Sequence, residues 1–173
     1  MLPSSVPLDN WFLFKELHLD LDGLYADFVG GVRRLTGKHP DAMKTEDMWA
    51  KIDADPYFFE QLQLLPGSEK LWAAIRDLPV PKKFLTGKLQ TERFNSQKRI
   101  WVGKTFGNAF EVNIVPSEEK QKFSREGMVL IDDDAENIAR WNAKGGHGIQ
   151  HTGSYSDTIE KLFDYVKGLS EKE

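Results

Sequence analysis

Asp20 and Asp22 stand two residues apart at the end of an apolar run, Leu17, Leu19 and Leu21, with Gly23 directly behind them. The pattern reads as a strand ending in a turn that carries two carboxylates. A second run, Met128 to Ile131, ends in Asp132, Asp133 and Asp134, so two neighbouring strand ends could bring four or five carboxylates to one point. Such a concentration of negative charge needs a cation. All-oxygen ligands suit Mg²⁺, which takes one or two carboxylates, keeps several waters and completes its octahedron with phosphate oxygens. An aspartate beside Mg²⁺ can attack phosphorus in line and form an aspartyl-phosphate that water later hydrolyses, and Asp20 fits that role. Asp22, kept protonated by crowding with the other carboxylates, can give a proton to the leaving alcohol and then activate the water. Its backbone carbonyl can also face the metal, because the chain turns sharply at Gly23. Thr86 can bind a phosphoryl oxygen through its hydroxyl and the N–H of Gly87. The charge that builds on nucleophile and phosphate calls for a lysine, and Lys120 and Lys122 are both within reach.

Other chemistries compete for the same residues. A calcium loop also spaces its aspartates, but it needs a glutamate at position twelve, and counting from Asp20 that position is Gly31. Asp132 to Asp134 could equally cap a helix with solvated acids. His18 lies inside the first run and away from its end, which favours a hydrogen-bonded buried imidazole over a metal ligand. Two aspartate clusters at strand ends, with Thr86 and Lys120 between them, favour phosphoryl transfer over coincidence.

These residues need a scaffold that aligns strand ends. Phe14 to Leu21 is predicted as the first strand, nearly continuous in apolar residues as a covered parallel strand should be. Lys83 to Gly87, Phe110 to Val115, Met128 to Ile131 and Gly148 to His151 are the four others. Between them lie a helix from Ser68 with Leu71, Trp72, Ile75 and Leu78 inward, and another through Phe94, Lys98 and Trp101 that stops near Gly107. A short Glu/Lys-rich helix opens at Ser117, and one from Ala135 to Ala143 is capped by Gly145. The last amphipathic helix carries Ile159, Leu162, Phe163 and Val166. Strands alternating with helices predict an α/β fold, a doubly wound parallel five-stranded sheet with its sites outside the carboxyl ends of the strands. Residues 26–64 are too long for an ordinary connection and show helical spacing at Phe28, Val32 and Leu35, with Gly37 as a stop. They are read as a small helical cap whose aromatic inner face is Trp49, Tyr57, Phe58 and Phe59, rings that could also simply pack the cap's own core. The expected organisation is an N-terminal extension at 1–13, a core of 14–25 and 65–173, and the cap at 26–64. Met1 to Asn10, with two prolines and two serines, is expected to be extended or loosely ordered.

With 173 residues the chain builds one core. Its 23 basic and 27 acidic residues, net −4, form no basic track, which disfavours a polymeric nucleic-acid partner. No cysteine is present, in keeping with a reducing, cytoplasmic setting. No basic stretch with a long apolar core opens the chain, and no 18 consecutive apolar residues occur, so neither a secretion signal nor a membrane partner is expected. The pattern is compatible with a homodimer.

From Leu17 to Thr152 the chain resembles the haloacid dehalogenase superfamily of phosphohydrolases, and more narrowly the 5′(3′)-deoxyribonucleotidases. The resemblance rests on Asp20-Leu-Asp22-Gly23-Leu-Tyr-Ala-Asp27-Phe28 with its continuation to Arg34, on Tyr57-Phe58-Phe59 running into Leu65-Pro66-Gly67, and on Phe84-Leu85-Thr86-Gly87. It also takes in Lys98 to Trp101, Lys120 and Leu130-Ile131-Asp132-Asp133. It implies a haloacid dehalogenase-like core and a Mg²⁺-dependent phosphomonoesterase acting on a small phosphorylated substrate, a nucleoside monophosphate. Asp20 would be nucleophile and metal ligand, and Asp22 general acid/base and carbonyl ligand. Thr86 and Lys120 would hold the phosphate, with Asp133 beside Asp132 as the remaining metal ligand. Phe28 and Phe59 would sandwich the nucleobase, and Lys98 would lie near the phosphate.

Departures from the family's pattern bear on activity. Gly87 stands where a serine usually follows the threonine, leaving only a backbone N–H for phosphate, and Asp134 replaces a basic residue after the paired aspartates. Leu24-Tyr25 is bulkier than usual beside the site. The Lys120 to Asp132 spacing is long, which keeps Lys122 as an alternative. Two further readings remain: the same chemistry on another small phosphate ester, since cap residues choose the leaving group, and a non-catalytic phosphoacceptor domain.

Overall fold

Alternation along the central strands divides the core in two, because successive side chains of a strand point to opposite faces. The computed structural model describes residues 6–169. Its strands are β1 (Glu16–Leu19), β2 (Lys82–Gly87), β3 (Val112–Val115), β4 (Met128–Asp132) and β5 (His147–Gln150). They form one all-parallel sheet in the order β3-β2-β1-β4-β5. Leu17, Leu19, Phe84, Val129, Ile131 and Ile149 share the larger apolar cluster, and Leu85, Met128 and Leu130 share the smaller one. Leu17, Leu19, Val129 and Ile131 are fully buried, and each contributes about 1.5–3 kcal/mol.

Helices cover both faces, as right-handed parallel crossovers require. On one side α4 (Ser68–Ile75) packs on α7 (Tyr155–Lys167), with Leu71, Ile75, Leu162 and Val166 in the larger cluster. On the other, Ile138 and Trp141 of α6 (Ala135–Ala143) close the smaller one, and Gly145, at φ +92°, follows its last turn. The fold is therefore the doubly wound α/β sheet predicted. His18 turns to this second face, fully buried, 5.1 Å from the Trp141 ring and hydrogen-bonded to Glu16 at 3.1 Å.

Residues 26–64 leave and rejoin the core through a narrow neck. Ala26 bridges Leu64 in antiparallel fashion, the Leu65 N–H donates to the Tyr25 carbonyl, and the Asp27 N–H donates to the Gln63 carbonyl. Beyond the neck stand α2 (Phe28–Thr36), capped by Asp27 and ended by Gly37 at φ +74°, and α3 (Thr45–Ala54). Two short 3₁₀ turns lie at Pro40–Ala42 and Phe59–Gln61. This inserted unit is fastened to α5 (Glu92–Phe106). Trp101 Nε1 donates to the Leu62 carbonyl at 2.7 Å, and Gln97 both accepts from the Phe59 N–H and donates to the Pro56 carbonyl.

The strands keep their expected places with bounds shifted by one or two residues, and the first strand and the lead-in differ for identifiable reasons. The first strand spans four residues, Asp20 still pairs with Ile131 beyond it, and the chain then turns at Leu21, whose carbonyl accepts from the N–H groups of Tyr25 and Ala26. Of the expected loose lead-in, residues 1–5 lie outside the described residues, while Leu8–Leu13 form the helix α1. Asn10 and Trp11 bury themselves there, and the Asn10 side-chain amide donates to the Val166 and Lys167 carbonyls at 2.7 and 3.1 Å. The Asn10 amide thus adds a donor from α1 to carbonyls at the end of α7, where helical partners run out. Among the described residues no helix is long and apolar enough to cross a membrane.

Candidate active site

In the order β3-β2-β1-β4-β5 the winding reverses between β1 and β4, and a crevice opens above the carboxyl ends of those two strands. Asp20 follows β1 directly, its N–H donating to the Ile131 carbonyl at 3.0 Å, and Asp132 closes β4. Strand pairing therefore fixes the two carboxylates side by side although 112 positions separate them in the chain.

Carboxylate oxygens of Asp20, Asp132 and Asp133 come within 4.8 Å of one another. The Lys120 ammonium sits between two of them, 2.9 Å from Asp20 Oδ1 and 2.7 Å from Asp132 Oδ2. Lys120, Asp20 and Asp132 are all buried. Burial alone would depress the Lys120 ammonium, but the carboxylates of Asp20 and Asp132 outweigh it and hold its pKa above the ordinary lysine value. One ammonium does not balance the cluster. Burial, with Asp132 and Asp22 nearby, pushes the Asp20 carboxyl up to about 8 against the pull of Lys120. Packing around Asp133, with Asp132 adjacent, pushes its carboxyl up to about 6. Three carboxylates share the single ammonium of Lys120 in this cluster, and the ligand atoms they offer are all oxygen. Those two properties fit Mg²⁺, with Asp20, Asp132 and Asp133 as the residues that would hold it.

The turn after Asp20 is built around the same residues. Gly23 lies at φ +82°, and a Cβ on it would run into the Asp133 carboxylate, so only glycine serves there. The Asp22 side chain takes another direction. Its Oδ2 accepts from Lys98 Nζ at 2.8 Å, while the same ammonium donates to Thr86 Oγ1 at 3.0 Å and to the Gly87 carbonyl at 2.9 Å. The Asp22 side chain is thus placed in an ion pair with Lys98 and outside the cluster of Asp20, Asp132 and Asp133, while the metal role expected of Asp22 lies with its backbone carbonyl.

A cavity of about 500 Å³ joins these groups. Asp20, Asp22, Asp132, Asp133 and Asp134 line it from the acidic side, Lys98 and Lys120 from the basic side, and Gly87, Lys88, Leu89, Ser117, Ala135 and Asn137 complete the wall. Lys122, the alternative to Lys120, is exposed and paired with Glu119 at 2.8 Å. Asp134 is the N-cap of α6, accepting from the Asn137 N–H at 2.9 Å. The three consecutive aspartates therefore divide the two readings: one caps the helix and two face Asp20.

Phe28 and Phe59 lie elsewhere. Their rings stack on one another with centroids 6.2 Å apart and an interplanar angle of 21°, already in the range of a direct aromatic pair. Phe58, Trp49 and Phe94 surround them, and neither ring lines the acidic cavity. Phe59 is buried against α5, with the Lys98 ammonium 6.0 Å from its ring centroid and Asp22 beside it in the lining of a small cavity. No slot for a nucleobase separates the two rings.

Asn137 was not singled out from the sequence. Its side-chain amide donates to Asp132 Oδ2 at 3.1 Å, and the Asp134 N–H donates to Asp132 Oδ1 at 2.9 Å, so Asp132 is held from both ends. The only sequence signal was its place three residues after Asp134, the spacing at which an N-cap aspartate meets a helical N–H. Compared with models of known protein families and with curated proteins, the chain matches none.

Proposed function

We propose that the protein is a Mg²⁺-dependent phosphomonoesterase that acts on a small phosphate ester, with a nucleoside monophosphate as the leading substrate class, through an aspartyl-phosphate at Asp20. The observation that carries this reading is the gathering of Asp20, Asp132 and Asp133 within 4.8 Å at the switch point of the sheet, with Lys120 bridging two of them. When bound, Mg²⁺ supplies positive charge that lowers the repulsion between the phosphoryl oxygens and the attacking carboxylate.

The chain's own groups do the rest. Lys120 orients the Asp20 carboxylate and screens it, leaving the other carboxylate oxygen to form a bond to phosphorus as the ester P–O bond breaks. Asp22, which lines the cavity, acts in its protonated form, giving that proton to the departing alkoxide and returning as a carboxylate to its pair with Lys98. In the second half its carboxylate takes a proton from water, whose oxygen bonds phosphorus and releases inorganic phosphate and Asp20. Lys98 holds Asp22 and Thr86 in one frame, 2.8 and 3.0 Å away, so the proton donor and the phosphate-binding hydroxyl keep a fixed separation.

Phosphate release from a panel of deoxynucleotides and sugar phosphates, with Mg²⁺ or EDTA and with Asp20→Asn as control, tests the reading. Metal-dependent release that Asp20→Asn abolishes is expected, and a preference for nucleotides assigns the leaving group. No release from any ester, or release unaffected by Asp20→Asn, contradicts it.

A further inference from the structure

Ser117 lines the cavity with Lys120, Lys98 and Asp20, yet none of the roles above uses it. Its hydroxyl has no hydrogen-bond partner among the described residues. Two features aim it at the reacting centre. Ser117 opens the 3₁₀ turn Ser117–Phe123, in which residues three apart eclipse one another, so it stands over the same face as Lys120. Pairing of Gly87 with Val115, and the 2.7 Å bond from the Lys88 N–H to the Val115 carbonyl, bring the chain just before Ser117 alongside the end of β2.

Gly87 shows how closely the two approach. A Cβ built on it would lie 2.7 Å from Ser117 Oγ. Gly87 is not among the glycines with left-handed backbone, so space and not conformation is what a side chain there would lack. The hydroxyl of Ser117 fills the volume that a side chain at position 87 would occupy, beside the Thr86 hydroxyl and the carbonyl that hold Lys98.

The geometry points to Ser117 as a phosphate-binding residue, its O–H donating to a phosphoryl oxygen of the substrate in the Asp20 cavity from the place a side chain at 87 would take. This rests on the phosphomonoesterase reading and adds to it a donor from a different loop. A hydroxyl donates one proton, and Lys98 and Lys120 already face carboxylates, so among the described residues the Ser117 O–H joins the Lys88 ammonium as an unpaired side-chain donor on this wall. Bonds from such donors to an ionised phosphate are stronger than neutral ones.

The test measures inhibition by inorganic phosphate and KM for the best ester of the panel, in the full chain with Mg²⁺. Ser117→Ala should weaken phosphate binding and raise KM by about tenfold to a hundredfold, while Ser117→Thr retains binding. Gly87→Ser alone should also weaken binding, because its side chain meets the Ser117 hydroxyl. Combining Gly87→Ser with Ser117→Ala should recover most of the loss, since one hydroxyl again occupies the shared volume. Thermal unfolding of each variant establishes that it folds. Wild-type affinity in Ser117→Ala overturns the inference and leaves the phosphomonoesterase reading standing. A loss that the double variant fails to recover overturns it too, because the serine then holds its loop and not the phosphate. If the wild-type protein neither binds phosphate nor releases it from any ester, the phosphomonoesterase reading fails first and the inference with it.

Discussion

Removing the Lys120 ammonium tests whether the acidic cluster is held together as described. In Lys120→Met the aliphatic stem is largely kept and the charge is lost. The ammonium lies 2.9 Å from Asp20 and 2.7 Å from Asp132, and all three groups are buried. At an effective dielectric near 20 each contact is worth about 6 kcal/mol of gross attraction, most of which offsets the desolvation of the ions. Deleting one partner leaves two buried carboxylates facing each other, a change that costs about 3–5 kcal/mol. For a chain of this length that lowers the melting temperature by about 6–20 °C. The matched control is Lys122→Met, whose pair with Glu119 is exposed and is worth about 0–1 kcal/mol. Urea unfolding of the three proteins in EDTA separates the cases. Mg²⁺ should restore more stability to Lys120→Met than to the wild type, because a second positive charge substitutes for the one removed. Equal, small losses in both variants refute the account of the cluster.

Three further outcomes follow from the geometry. Asp22→Ala should abolish multiple turnover while Asp20 can still be phosphorylated by an activated small phosphodonor, read as trapped phosphoprotein; full turnover in this variant removes Asp22 from the proton-transfer role. Gly23→Ala places a Cβ at φ +82° and against the Asp133 carboxylate, so it should destabilise the fold by about 1–3 kcal/mol and weaken Mg²⁺ binding, and titration of the variant showing wild-type affinity contradicts the tight turn. His18 is buried and its pKa is lowered from 6.5, chiefly by burial, against the pull of Glu16. The unfolded chain then binds more protons than the folded one below about pH 7, so stability should fall as pH drops through the unfolded value of about 6.5. His18→Phe should flatten that decline in denaturant midpoints measured from pH 7 to 5, and an unchanged slope rejects the assignment.

Much of the frame was legible because strand periodicity carries it. The apolar runs ending in Asp20 and Asp132 gave both the strands and the end at which carboxylates gather, and parallel winding then places those ends together. The choice between Lys120 and Lys122 was not legible: it depends on which face of a 3₁₀ turn points inward. Leu8–Leu13 carries no clear helical signal because prolines and serines precede it, and its anchor, the Asn10 amide on the Val166 and Lys167 carbonyls, joins residues 156 and 157 positions apart. The aromatic residues of the insertion were visible as a group, yet whether rings stack on a ligand or on each other depends on what α5 brings to them. Phe94 and Gln97 supply that answer by closing Phe59 into the interface. Asn137 and Ser117 are neutral polar residues with no periodic signature, so only their distances from Asp132 and Gly87 mark them.

Isothermal titration of the metal-free protein with Mg²⁺ most directly tests the claim that Asp20, Asp132 and Asp133 form one divalent-cation site. One ion should bind per chain, with protons released as carboxyls ionise, and Asp133→Asn should weaken that binding strongly. The absence of a saturable site, or a site that Asp133→Asn leaves untouched, would contradict the account.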